Sequence, residues 1–315
     1  MSRAEHATGS VIVWHGQMKR RRALLLRGGL YVGVGLLWLV LFLALPALLL
    51  VVIAMIQRGP YGTFVWELTT ENLTRTMGWG MFGWSADTLR ILGRTITVAS
   101  VTTAVNLVLS FPLAFFIASR PRRSRMAWLA LIIVPCCTNM VVRAYAWMLV
   151  LSPQFPPSRA AQALGWIDDG AGLYPGPLAV YLGMITTLLP FTVLPIYTNV
   201  ERLDWSLVEA ASDLYASRWR VFRHAILAQI RPGLVAAIVL TFIPAMGMFV
   251  IPKLLGGSKY MLVGDLIQQQ FGESRDYPYG AALSLVLMAM TLLGLWLSRR
   301  YFRKSSESRG GEAAL

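Results

Sequence analysis

Charge is what this chain has little of. Asp, Glu, Lys and Arg make up 14% of its 315 residues, against about 25% in an ordinary soluble domain. Acids are scarcer than bases: 15 Asp and Glu stand against 29 Lys and Arg, a formal net charge of +14. Six long apolar stretches, 30–56, 95–118, 127–151, 178–198, 233–252 and 280–298, contain no Asp, Glu or His. Proton relays, general bases and hydrolytic sites within a membrane need such groups. Their absence argues against a proton-coupled carrier and an intramembrane enzyme; no catalytic residue is expected. No G-x-x-x-x-G-K-[ST] stretch occurs either, so uphill transport would draw its energy from a partner. Cys136 and Cys137 are the only cysteines. Adjacent residues on a helix point apart, which argues against a disulfide between them and for two small packing residues. His6, His15 and His224 have no metal-ligand spacing.

What is present is apolar, 56% of residues. Each of the six stretches is near or above the ~20 residues that cross a hydrocarbon core as a helix. The basic residues are sorted by side. Arg3, Lys19 to Arg22 and Arg27 precede the first stretch. Arg120, Arg122, Arg123 and Arg125 lie in the second connection, and Arg202, Arg218, Arg220, Arg223 and Arg231 in the fourth. Arg299, Arg300, Arg303, Lys304 and Arg309 follow the last. With six crossings, these all fall on one side, so both termini are expected to be cytoplasmic. The positive charge is then topological, and no nucleic-acid partner is expected. The first apolar run is longer than the roughly 7–15 residues of a signal-peptide core, so it is expected to be retained. The expected fold class is an all-α integral membrane protein of six transmembrane helices. A basic tail at 1–29 precedes a membrane domain at 30–298, with a cytoplasmic loop at about 199–232, and a basic, polar tail follows at 299–315.

Several residues stand out. The second span carries Thr95, Thr97, Ser100, Thr102, Thr103, Asn106 and Ser110, which suits a helix inside a bundle. Pro190, Pro195, Pro244 and Pro252 interrupt the fourth and fifth spans. Each frees a backbone carbonyl, tolerated where protein or a watery cavity covers it. The fifth is therefore either a cavity liner or a bent packing helix. Arg143 is the one charged residue within a span. It either lines a pathway or pairs with helix-end carbonyls. Trp66, Trp79 and Trp84, in the connection 57–94, suit an interfacial belt or a docking face. The connection 253–279 reads as an outer loop, part of which, Leu262 to Phe271, is either a short helix or a re-entrant segment.

The most specific feature is a polar island, Glu209-Ala-Ala-Ser-Asp-Leu-Tyr-Ala-Ser-Arg-Trp-Arg-Val-Phe-Arg-His-Ala-Ile-Leu-Ala-Gln-Ile-Arg-Pro-Gly233. Leu203, Leu207, Val208 and Leu214 are expected to form one apolar face, and Trp219, Phe222 and Ile226 a second. That gives two short amphipathic helices joined near Tyr215–Arg218.

The order Glu-Ala-Ala, Asp-Leu, Ala-Ser-Arg-Trp, Phe-Arg, Arg-Pro-Gly resembles the "EAA" loop of binding-protein-dependent ABC-importer permeases. Phe111-Pro-Leu-Ala-Phe-Phe-Ile-Ala118, Val142-Arg-Ala-Tyr-Ala-Trp-Met148, Leu189-Pro-Phe191 and Phe249-Val-Ile-Pro-Lys-Leu-Leu-Gly-Gly257 are similar to the spermidine/putrescine branch. The resemblance implies a type I importer bundle, multi-pass in a bacterial inner membrane. It implies that Glu209, Ala210, Ala211, Asp213, Leu214, Tyr215, Ser217, Arg218 and Trp219 couple to a separate ATPase. It implies as partners two ATPase subunits holding ATP and Mg, a second permease subunit in a heterodimer, and a periplasmic or lipid-anchored solute-binding protein. Asn139, Arg143, Tyr145, Trp147, Tyr181, Pro244 and Met248 are then candidates for the translocation pathway. The implied solute is a polyamine, with an opine, an amino-acid-like compound or a phosphonate as alternatives. A stand-alone channel is the rival class. Two departures bear on the loop: the family usually has Gly at Tyr215 and Leu-Pro at Leu227-Ala228. Many relatives carry Glu at Met248 and Asp at Lys253. With no acid in its spans, this chain would either meet a cation through groups such as Tyr145, Trp147 or Tyr181 or leave its charge to the paired permease or the binding protein.

Overall fold

The computed structural model describes residues 33, 35–60, 63–80, 83–257 and 260–312. The basic tail expected at 1–29, and Tyr61, Gly62 and Lys259, lie outside the described residues. The chain divides into two units near Ile53. The first contributes one described helix, α1, Gly35–Ala54. Its 20 residues match the thickness of a hydrocarbon core at 1.5 Å per residue.

The second unit begins with a small irregular region. Strands β1 (Ile56–Arg58) and β2 (Phe64–Leu68) pair antiparallel, as do the two-residue strands β3 (Trp79–Gly80) and β4 (Gly83–Trp84). The fold is helical as expected, and the connection 57–94 adds these two short strand pairs. Between the strand pairs lies α2 (Glu71–Thr76), whose Asn72 Nδ2 donates to Ala54 O at 3.0 Å and Ile56 O at 2.9 Å. Asp276 anchors the region to the start of the last helix. It is buried and meets Arg58 at 3.4 Å and Arg75 at 3.2 Å.

The core is built from α3 (Asp87–Ala118), α7 (Pro177–Glu201) and α10 (Leu227–Gly247), which pack on one another. The polar residues of α3 explain its place. Thr95, Thr102, Thr103, Asn106 and Ser110 are buried on one face at helical spacing, whereas Thr97 and Ser100 are exposed. On the other two helices, Thr192 and Thr241 hydroxyls hydrogen-bond at 2.7 Å. The last helix, α13 (Tyr277–Glu312), continues well past the apolar run ending at 298, through most of the expected polar tail.

Two expected spans differ in detail. The third, 127–151, is not one straight helix. It consists of α4 (Arg122–Ile133), a 3-10 turn at Val134–Cys137 and α5 (Met140–Val150), with a 94° bend, and the short α6 (Pro156–Ala163) follows it. Among the described residues five helices are long and apolar enough to cross a membrane, and six crossings require this bent pair to count as one. Pro135 brings no N–H to the turn, and Asn139 restarts the helix by accepting from Val141 N at 2.8 Å. Cys136 and Cys137 lie in the turn, free and exposed on this chain rather than packed. The fifth expected span, 233–252, is displaced. Helix runs from Arg218 through a π-helical turn at Phe222–Ile226 into α10 and ends at Gly247; Pro252 belongs to a separate short helix, α11 (Val250–Leu255). More than half of the expected polar island, from Arg218 to Gly233, is therefore the beginning of a helix long and apolar enough to span.

Gly233 makes the α7–α10 contact possible. A Cβ there would stand 2.7 Å from Pro195 O and 2.6 Å from Asn199 Nδ2. A backbone oxygen cannot move aside as a side-chain tip can. Gly233→Ala is expected to lower stability by about 1–3 kcal/mol, the usual range for an overpacked core. Thermal unfolding in detergent tests this; an unchanged midpoint would show that the helices separate freely.

Candidate functional site

The expected coupling segment forms a helical elbow. It comprises α8 (Trp205–Asp213), the turn Leu214–Ser217 and α9 (Arg218–Val221). Asp204 starts α8 by accepting from Ser206 N at 3.0 Å. Leu203 is buried, and Val208 and Ala211 are half-buried against the bundle. Leu207 and Leu214 are not on that face. They are 53% and 82% exposed, and Trp205, Tyr215 and Trp219 are exposed beside them. The single apolar face expected from the sequence is thus two faces, one holding the elbow to the bundle and one bare. Phe222 stacks on Trp219 at 5.6 Å and meets Phe111 of α3 edge-on at 5.7 Å, fixing the second arm. Glu209, Ala210, Asp213, Ser217 and Arg218 are all exposed on the elbow.

Both departures in this loop have structural answers. Tyr215 takes φ +56°, the left-handed conformation that glycine adopts without strain. The turn geometry persists with a bulky residue in it. Ala228 keeps the N–H that a proline would lack, so helix continues through 228 without a break.

The pathway candidates do not form one cluster. Arg143 and Trp147 are one turn apart on α5 and both reach α7. Arg143 Nη1 donates to Thr187 Oγ1 at 3.3 Å, and Trp147 Nε1 to Thr186 Oγ1 at 3.2 Å. The other guanidinium nitrogen turns back into the bend, donating to Pro135 O and, at 3.3 Å, to Thr138 O. Trp147, Tyr181 and Met248 pack against the same buried cluster, which includes Met184, Ile251 and Leu255. Tyr145 and Pro244 are exposed elsewhere, and Asn139 serves as the cap of α5.

Sequence reasoning missed two features. Arg125 was counted only for its charge. Its Nη1 donates to Glu201 Oε1 at 2.7 Å and its Nη2 to Ala118 O at 2.7 Å, tying the end of α3 to the end of α7. The larger omission is a cleft of about 310 Å³ beside α11 and α12 (Val263–Phe271). It is lined by Lys253, Asp265, Gln268, Gln269 and Glu273 among others. The short helix expected at 262–271 is present as α12, and despite its polar residues its first turn is seated in the core. Gly264 brings the α12 backbone against Gly247 O and Met248 O, each 3.0 Å from where a Cβ would stand. Thr95 Oγ1 of α3 accepts from Val263 N at 2.9 Å. Asp265 Oδ2 accepts from Leu262 N at 3.2 Å, which starts the helix. The residue is 6% exposed, and no donor in the described chain reaches Oδ1. Burial pushes this carboxyl up to about 6, although the Leu262 N–H and the Lys253 charge act the other way. Nearby, Tyr260 packs under the Arg94 guanidinium at 5.1 Å, and burial with the Tyr181 hydroxyl raises it to about 12.

The Asp265 shift has a definite sign. The folded state holds its proton up to about pH 6, while the unfolded chain releases it near 3.8. Stability from this group is full below about pH 4 and falls as pH rises toward 6, by about 1.4 kcal/mol per unit. Asp265→Asn should remove that slope. A pH series of unfolding midpoints in detergent checks it; an unchanged slope would mean the carboxyl is hydrated.

Bundle, bent segment and protruding elbow together define a polytopic helical membrane protein of the importer-permease fold. The chain covers 91% of its length and 96% of a permease chain in a bacterial alginate ABC transporter bound to its periplasmic protein, with a TM-score of 0.63 at 15% identity. That likeness concerns the fold. Residues 110–306 match the family model described as "Binding-protein-dependent transport system inner membrane component". The chain is 36% identical over 273 residues to the spermidine/putrescine transport system permease protein PotB of Escherichia coli K12, covering 86% of this chain and 97% of that protein. It is 29% identical to PotB of Haemophilus influenzae, over 86% of this chain and 93% of that one. The chain belongs to the family of binding-protein-dependent transport system inner membrane components.

Proposed function

We propose that this chain is the permease subunit of an ATP-driven polyamine importer, non-catalytic itself. The observation that carries the reading is its 36% identity across 97% of a spermidine/putrescine permease. The elbow supports the coupling half of the reading. Leu207, Leu214, Tyr215 and Trp219 are each more than half exposed, and a contiguous apolar patch of that kind marks an interaction surface. On this reading α8 seats in a groove of an ATPase subunit, and nucleotide binding there moves the elbow. Because Phe222 joins the elbow to α3 and the helix continues into α10, the motion is transmitted to the core bundle. Access to the solute then alternates between the two sides. A second permease, two ATPases and a solute-binding protein complete the assembly, and both termini face the cytoplasm.

The test is ATPase activity of the co-purified complex in lipid with its binding protein. The panel is putrescine, spermidine, amino acids, opines and aminophosphonates. Stimulation by the polyamines alone is expected. Stimulation by a non-cationic solute, with polyamines inert, would overturn the solute assignment and keep the coupling.

A further inference from the structure

The geometry points to a polar seam on α3, formed by Thr102, Asn106 and Ser110, as a switch between two packings of the core bundle. Asn106 is unpaired in the packing seen here and pairs across the helices in the other. This inference rests on the alternating-access half of the importer reading and gives it a residue.

Three observations converge. First, Thr102, Asn106 and Ser110 stand at i, i+4 and i+8 on one stripe of α3, and each is fully buried. Their side-chain polar atoms have no partner in the described chain, both ends of the Asn106 amide included. Other hydroxyls of the same helix donate to the carbonyl one turn back: Thr95 at 2.8 Å, Thr97 at 2.8 Å and Thr103 at 2.7 Å. Buried polar atoms are normally paired, and leaving one dry costs about a factor of ten in an equilibrium constant. A second packing that restores the bond is favoured by the same factor. Second, partners lie in the same layer. To one side of the seam, Val98 and Ala99 belong to a cluster with Leu188 and Ala245; to the other, Ala114 and Ile117 belong to one with Val193, Ile196 and Ala237. Thr192 of α7 and Thr241 of α10 fall between those same neighbours, and their hydroxyls bond to each other at 2.7 Å. A slide of α3 along the other two helices exchanges that bond for bonds to the amide, which both donates and accepts. Third, each helix carries a proline within three residues of this layer: Pro112 beside Ser110, Pro190 beside Thr192 and Pro244 beside Thr241. A proline removes one backbone hydrogen bond and lets the helix bend there. The unpaired groups and the three hinges coincide, which suits two discrete packings rather than a continuous deformation.

The experiment uses the permease–ATPase complex in lipid. The unfolding midpoint is read without nucleotide and after trapping with ATP and vanadate, and ATP-driven uptake is read with the binding protein and the solute of the panel that stimulates it. Asn106→Leu keeps the branched shape and removes the polarity. It is expected to raise the midpoint in one of the two conditions, lower it in the other, and cut uptake about tenfold. Ser110→Ala adds no volume and should give the same pair of opposite signs with smaller shifts. A residue that only packs moves both midpoints in the same direction. Shifts of one sign in both conditions from both variants, or opposite shifts with uptake unchanged, overturn the switch and leave the importer reading intact. If wild type hydrolyses ATP without moving any solute of the panel, the importer reading falls and the switch with it.

Discussion

Glu209→Arg or Asp213→Arg should leave the permease folded in the membrane and reduce solute uptake about a hundredfold. The two carboxylates sit at i and i+4 on α8. Like charges in that relation cost about 0.2–0.5 kcal/mol. Asp213 is also at the C-terminus of its helix, the negative end of the dipole, which costs about 0.3–1 kcal/mol more. Among the described residues neither forms an ion pair. The elbow thus carries two charges that weaken it in isolation, next to the bare side chains of Leu214 and Tyr215. A basic groove on another protein would turn that local penalty into binding energy. Reversing one charge there places like against like, worth several kcal/mol, and about 2.7 kcal/mol is a factor of a hundred. The measurement is co-purification of the ATPase together with uptake, with Asp168→Arg as a control of equal charge change on another exposed loop. Normal co-purification and uptake by both α8 variants would remove the elbow from the coupling role.

How far the sequence revealed this molecule differs from element to element. Spans two, four and six were plain because about 20 apolar residues in a row have few other uses. The inward face of α3 was plain too, since hydroxyls and an amide at helical spacing are poorly suited to lipid. Hydropathy could not show the bend in the third span. Val-Pro-Cys-Cys is as apolar as the helix around it, and the break comes from a missing N–H at Pro135 and a cap at Asn139. The elbow's residues were readable, its faces only in part. Leu203 and Val208 turn inward while Leu207 and Leu214 turn out, because the bundle covers only one stripe of a short helix. The cleft was hidden for the opposite reason. Val-Gly-Asp-Leu-Ile-Gln-Gln-Gln-Phe reads as a short helix or re-entrant segment of an outer connection, and nothing in it marks a cleft. Its burial depends on Thr95, 168 residues away, and on the lack of a side chain at Gly264.

Arg143→Met is expected to lower the unfolding midpoint and uptake together while leaving the solute affinity of the surviving complex unchanged. The bend of 94° exposes the carbonyl ends of α4 and its 3-10 turn. One guanidinium supplies them, reaching Pro135 O and Thr138 O while holding Thr187 of α7. Arg suits this because its planar fork serves several acceptors at once. Methionine fills much of the same space and donates nothing. Each carbonyl left dry and unpaired then costs about 1–3 kcal/mol, and water cannot easily make up the loss at membrane depth. Arg143→Lys should recover part of the stability, since an ammonium can reach a carbonyl but does not reproduce the fork. The contrary result is equally readable. If Arg143→Met unfolds like wild type but shifts the half-saturating solute concentration tenfold, the guanidinium serves the solute path and the carbonyl contacts are incidental. The two outcomes separate because a brace for the backbone changes how much complex survives, whereas a pathway residue changes how the surviving complex handles solute.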